Sequence, residues 1–270
     1  MKLLKYSIFF AIILGAIVLT LSKIETQKIQ IDSEDSVYPL IKKVVRKYQR
    51  LHPGVKIQLQ VVESVATLPI FLHQDKGVKP DLIFTEDTYL LKALNGVKSK
   101  ELALNPIVIC YDKDFKLTNT NWMQVVTSHN FGFSNPDTDP LGYYVHFIFS
   151  LYNKEHHTDY QCKSKYTRNS TTDLFWLMKS GNLDFIFTYK SFAIQNHLKY
   201  FELPTPYNLV SNINYSVVSY TLSNKKVIPG HVSSFGVGIV NENKATKEFL
   251  DYLFSKTNTK LFTQLGLIQK

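Results

Sequence analysis

Between Lys28 and Thr85 the chain changes its apolar period from that of a strand to that of a helix and back. "KIQID" (28–32) alternates around Ile29 and Ile31, as a half-buried strand does. From Tyr38 to Leu51 the apolar residues Leu40, Ile41, Val44, Val45, Tyr48 and Leu51 keep helical spacing. Pro53 and Gly54 stop that helix, and "VKIQLQVV" resumes the alternation. A short helix is expected from Ser64, kinked by Pro69, before "KPDLIFTED", a buried strand that ends in acids. Strand, helix, strand, helix, strand is the rhythm of an α/β sheet with parallel strands.

A second unit of the same kind follows. "NPIVICYDKD" (105–114) reads as a strand. Helices are expected over 142–152 and 172–179, a strand at "LDFIFTY", and "NYSVVSYTL" (214–222) leads back toward a helical tail. That tail has an apolar face at Phe249, Leu250, Leu253 and Phe254. The expected architecture is two α/β lobes, 28–112 with 223–270 and 113–222, joined by long strands. A cleft between such lobes is a common place for a ligand. At 270 residues the chain has enough length to bury both cores.

"MKLLKYSIFFAIILGAIVLTLSK" puts Lys2 and Lys5 before an apolar run from Ile8 to Leu21, which is the secretory pattern. Residues 1–24 are an export signal, cleaved or retained as a membrane anchor, and the remainder works outside the cytoplasm. The formal net charge is +9, but Lys and Arg are scattered, so a solvated basic surface accounts for it. Nucleic-acid binding would group them on one face with aromatics between, and the many Tyr and Phe fall at core periodicities instead. Two cysteines, Cys110 and Cys162, either pair outside the cell or stand as separate buried thiols. They are too few for a cysteine-based zinc site. His156 and His157 read as surface residues, and Asn169 and Asn214 open short glycosylation-type triplets of low specificity.

Ser36 and Ser64 each precede an expected helix. Serine there normally caps the helix by accepting a backbone N–H. The same geometry serves another purpose: a helix N-terminus offers free N–H donors and a partial positive charge, to which the hydroxyl adds a donor. Two such ends across a cleft bind a small oxyanion without Arg or Lys. "FGFSNPDTDPLGYY" (131–144) sets Asp137 and Asp139 between two prolines and follows them with Gly142. From composition alone Asp139 is a turn former and cap before the next helix. The chain lacks G-x-S-x-G, H-E-x-x-H and the phosphate-binding G-x-x-x-x-G-K motif, and two aspartates two apart in a turn are poorly placed as a glycosidase pair. No enzyme is expected.

With these stretches side by side, the chain from about residue 28 to its end resembles the archaeal-type molybdate/tungstate-binding proteins, the extracellular solute-binding components of ABC transporters. "SNPDTDPLGYY" is similar to a family phrase S-N-P-x-x-D-P-C-G-Y-R, and "GNLDFIFTYKSFA" to G-x-x-D-x-x-x-x-Y-x-S-x-A. The resemblance implies a two-lobe, periplasmic-binding-protein-like (type II) fold with the ligand in the cleft. It implies Ser36, Ser64, Asp139 and Tyr189 as oxyanion-binding residues, with Asp139 a candidate carboxylate ligand to the anion's molybdenum or tungsten. It further implies a monomer that needs no cofactor besides its ligand and hands molybdate or tungstate to a permease and its ATPase. Three departures stand out. Asp35 and Glu63 replace glycines beside the serines, Tyr144 replaces an arginine, and "LPTPYNL" has Pro206 where the family carries a second glutamate ligand. They leave room for a membrane-tethered paralogue that binds sulfate or phosphate, or that senses another ligand. A secreted enzyme is the reading of another class.

Overall fold

The computed structural model describes residues 27–62 and 79–269. The N-terminal signal or anchor and the segment holding Glu63, Ser64 and Pro69 lie outside the described residues. In chain order the strands and helices are β1 (Gln27–Glu34), α1 (Tyr38–Leu51), β2 (Val55–Val62), β3 (Leu82–Thr85), α2 (Thr88–Leu91), β4 (Lys98–Leu104) and β5 (Ile107–Tyr111). Then come α3 (Trp122–Thr127), β6 (Phe131–Ser134), α4 (Pro140–His156), β7 (Thr167–Arg168), α5 (Thr171–Lys179), β8 (Phe185–Tyr189), α6 (Lys190–Gln195) and β9 (Lys199–Glu202). The chain ends with β10 (Ser219–Thr221), β11 (Val227–Pro229), β12 (Ser234–Ile239), α7 (Lys244–Leu253) and α8 (Lys256–Gln264).

The alternation that opens the chain produces the first sheet, ordered β2-β1-β3-β12-β4. β1 pairs in parallel with β2 and β3, and Ile29 and Ile31 are fully buried. Leu40, Ile41, Val44 and Tyr48 of α1 cover that core, which Phe249, Leu253 and Phe262 of the two tail helices complete. The sheet is mixed rather than all parallel, because β12 runs antiparallel to β3 and β4. β4 escapes sequence reading for a physical reason. It lies at the sheet edge, with Lys98, Ser99 and Lys100 exposed and only its last three residues buried.

A second five-stranded sheet, ordered β7-β6-β8-β5-β9, holds the other core. β5, which the sequence reading counts with the first lobe, pairs antiparallel with β8 and β9 here. Ile107, Val108, Ile109 and Cys110 are all buried, and such an unbroken apolar run carries no mark of the sheet to which it belongs. The chain therefore leaves the first sheet at Asn105–Pro106 and returns before Ser234. The two crossings touch: Asn105 N donates to Ser233 O (3.0 Å) and Ser233 Oγ to Asn105 O (2.8 Å). Asn105 Nδ2 also donates to Ser191 Oγ at 2.8 Å, which ties the crossings to α6.

α4 begins two residues before the expected 142 and runs four beyond 152, buried on nearly every side. Gly142 is required there. A Cβ on it would meet Ser134 O and Pro136 N at 2.4 Å, so only glycine lets α4 lie against its own preceding turn. Residues 214–222 form a 3₁₀ turn and then β10, which pairs only with β11 in a two-stranded sheet. The tail is two helices rather than one. Cys110 and Cys162 are both free thiols. Among the described residues no helix is long and apolar enough to cross a membrane.

Candidate functional site

A cleft of about 730 Å³ opens between the two sheets, and its walls are the segments that follow strands. From the first lobe come Glu34, Asp35 and Ser36 after β1, Val61 and Val62 of β2, and Glu86 after β3. The second lobe contributes the turn Asp137–Pro140 before α4, Asn169–Thr172 before α5, and Phe192, Gln195 and Asn196 near α6. Three helix N-termini, those of α1, α4 and α5, therefore open on one space with their positive dipole ends, those of α4 and α5 capped by Asp139 and Ser170. Among the described residues lining it there is no lysine or arginine, while Glu34, Asp35, Glu86, Asp137 and Asp139 supply five carboxyl groups. Among the described residues, no group of three or more His, Cys, Asp and Glu is placed to hold a metal ion.

Ser36 is not a helix cap. The N-cap of α1 is Val37, with no side-chain capping bond. Ser36 N donates to Glu86 Oε1 at 3.2 Å, while its buried Oγ lies beside that carboxyl without a well-formed hydrogen bond. Asp139 is a cap and a cleft residue at once. Its Oδ1 accepts the Leu141 N–H at 2.8 Å and so starts α4. Tyr189 ends β8, is 1% exposed, and its hydroxyl has no hydrogen-bond partner among the described residues. It does not line the cleft surface but lies behind it, where Glu86 and Asp139 act on it. Ser36, Asp139 and Tyr189 thus converge; Ser64 lies outside the described residues.

Two residues escaped sequence reasoning. Glu86 is 9% exposed, and its N–H donates to Glu34 Oε2 at 2.6 Å. Burial raises its carboxyl well above the usual range, and the charges of Asp139 and Glu34 push the same way. Burial likewise raises Asp139 to about 6, against the pull of Ser134 and the Leu141 N–H, with Asp35 adding to the rise. Asp139 shows some surface to the cleft, yet the protein packed around it is that of an interior group, so desolvation dominates. Ser134, fully buried at the end of β6, is the second: its Oγ lies beside Asp139 but completes no well-formed hydrogen bond. The only hint of Glu86 in the sequence was a buried strand ending in acids. Ser134 carried no signal beyond its place in the "SNP" phrase.

The departures noted in the sequence also find places. Pro206 and Tyr144 are not among the described residues that line the cleft. Tyr144 is buried, and its hydroxyl donates to the Val232 carbonyl at 3.3 Å. Chemically the described walls of the cleft offer hydroxyl donors beside two protonatable carboxyls.

In sequence the chain is 30% identical over 178 residues to an uncharacterized solute-binding protein of Petrotoga mobilis, covering 58% of this chain and 55% of that one. It is 27% identical over 263 residues to the molybdate/tungstate-binding protein WtpA of Pyrococcus abyssi, covering 81% of this chain and 76% of the relative. Among solved structures, a substrate-binding domain from Clostridium difficile superposes with a TM-score of 0.63 at 18% identity, over 90% of this chain and 99% of the other. The periplasmic molybdate-binding protein of Azotobacter vinelandii gives 0.61 at 13% identity, over 90% and 99%. At such identities the structural likeness speaks for the two-lobe fold alone. The family description "bacterial extracellular solute-binding protein" matches residues 29–268, and the chain belongs to that family.

Proposed function

We propose that the chain captures a tetrahedral oxyanion in its cleft outside the cytoplasm and passes it to an ABC permease driven by its ATPase. Molybdate or tungstate is the first choice and a sulfate-like anion the second. The supporting observation is the group of buried hydroxyls of Ser36, Ser134 and Tyr189, which lack well-formed partners and surround the Glu86 and Asp139 carboxyls. Buried polar groups are nearly always satisfied, so donors left open beside a cleft await an acceptor-rich ligand. Helix N-termini supply the positive potential that lysine or arginine would otherwise give. The names of the Pyrococcus and Azotobacter proteins favour molybdenum and tungsten among the tetrahedral anions.

In this reading Ser36 donates from the first lobe, as Ser64 does from the undescribed segment, and Asp139 and Tyr189 close the site from the second. An anion with four oxygens displaces about four waters, ~120 Å³ at ~30 Å³ each. The cleft is several times larger, so hinge closure at the Asn105–Ser233 crossings must expel the difference. The N-terminal segment exports the chain or holds it at the membrane, and the receptor works as a monomer without a further cofactor.

Calorimetric titration of the full chain with tungstate, molybdate, sulfate and phosphate tests this. Tight binding of tungstate or molybdate, weakened by Ser36→Ala, is expected. Preference for sulfate or phosphate would keep the receptor and change its cargo. A folded chain that binds none of the four would overturn the reading in favour of a paralogue that has kept only the scaffold.

A further inference from the structure

One turn beyond Asp139, helix α4 meets a second polar cluster, whose residues are not among those that line the cleft. The Tyr143 hydroxyl donates to Asp87 Oδ2, and His231 Nε2 lies 2.9 Å from the same oxygen. Asp87 is fully buried, and its Oδ1 accepts the Tyr89 N–H at 2.8 Å to cap α2. The Tyr89 ring stacks on His231 with centroids 4.6 Å apart and planes 20° apart. Tyr144 Oη lies 3.4 Å from His231 Nε2. These residues come from three places. Asp87 and Tyr89 follow β3 of the first sheet, Tyr143 and Tyr144 belong to the second lobe, and His231 sits on the segment between β11 and β12 that returns to the first sheet.

The partners of His231 favour its charged form. Its Nδ1 lies 2.7 Å from the Pro229 carbonyl, and its Nε2 faces the Asp87 carboxylate. With Asp87 ionised both partners are acceptors, and an imidazolium, with a proton on each nitrogen, satisfies both. We propose that Asp87, Tyr143 and His231 form a charged joint between the lobes, which holds α4 against the first sheet and thereby positions Asp139 in the cleft. The link to Asp139 rests on the oxyanion-receptor reading; the joint itself does not.

The groups facing His231 are few. Asp87 meets it from the turn after β3, Tyr89 and Lys92 from α2 and the residue that follows it, and Tyr143 and Tyr144 from α4. Burial works against its charged form and Lys92 opposes it, but its contacts with Asp87 and with the Pro229 carbonyl outweigh both and raise the imidazolium above its ordinary range. A raised histidine holds its contribution at low pH and loses it as pH rises through the folded value. The joint is therefore tight at low pH and loosens as pH rises through the raised histidine's range.

The test uses the ligand-free full chain, so it reads the joint even if no anion binds. Proton NMR of the histidine C–H signals, with His231 assigned through His231→Gln, is expected to place its midpoint above those of the exposed histidines. Asp87→Asn should move that midpoint below them, since burial and Lys92 then oppose the charged form and only the Pro229 carbonyl still favours it. X-ray scattering should show the lobes spreading as pH rises through the wild-type midpoint, and no such step in His231→Gln. Where an anion binds, Tyr143→Phe should weaken it roughly 2–30-fold, the size of a typical coupling between linked positions. A His231 that titrates at or below the exposed histidines in the wild-type chain overturns the proposal, and so does an unchanged midpoint in Asp87→Asn.

Discussion

Raising the pH from 6 to 8 should weaken anion binding about fiftyfold, and the sign follows from two carboxyls that line the cleft. Glu86 and Asp139 are both raised by burial, and Asp139 stands at about 6. Below that value the carboxyl is already protonated and can donate to an oxyanion. Above it the cleft releases the proton, and an incoming dianion must recover it, because a third negative charge beside described walls that carry no lysine or arginine is strongly disfavoured. The two groups act on each other, so one shared proton is the expected uptake. One proton taken up on binding costs about tenfold in affinity per pH unit, or ~1.4 kcal/mol. Calorimetry at pH 6, 7 and 8, each in two buffers of different ionisation enthalpy, counts that proton directly. Glu86→Gln keeps a donor and removes the charge, so it should flatten the slope and tighten binding at pH 8. Proton release, or an affinity that does not change between pH 6 and 8, would refute the reasoning. Release would mean that the carboxyls enter charged, as ligands of the anion's central atom.

Two other expectations separate binding from folding. Ser36→Ala should lower affinity about 10–100-fold, as the loss of a hydrogen bond to a charged group does, with almost no change in melting temperature because the hydroxyl caps nothing; a drop of ~2–4 °C, the mark of a lost cap in a domain this size, would show the assignment to be mistaken. Gly142→Ala forces a Cβ to 2.4 Å from two backbone atoms, so it should cost about 1–3 kcal/mol of stability and reduce affinity as well by displacing Asp139, and an unchanged melting curve would contradict the packing.

The first sheet was legible because its strands alternate and its helix keeps a clean apolar face: Ile29, Ile31, Leu40, Ile41, Val44 and Tyr48 are buried as their spacing requires. The second lobe was less so. α4 is buried on nearly all sides, which erases the period that would mark its ends, and β5 is apolar on both faces, which hides its sheet. Asp139 could be read as a cap from its place before the helix, and it is one. That it also faces a cleft depends on how the lobes meet, and no local pattern encodes that.

Glu86 shows the same limit more sharply. In the sequence it is one of two acids closing a strand, and the two look interchangeable. In the fold they part by a single residue's turn: Glu86 lines the cleft opposite Asp139, while Asp87 points to the hinge and meets Tyr143 and His231. Besides their partners in the first lobe, Glu86 meets Asp139, 53 residues on, and Asp87 meets Tyr143 and His231, 56 and 144 residues on. Residues that bind across lobes are written in separate parts of the chain by the need to meet only after folding. A strand end that carries two acids, each fitted to a different surface, is then what a hinged cleft requires: one side chain for the ligand, the next for the joint that brings the opposite wall to it.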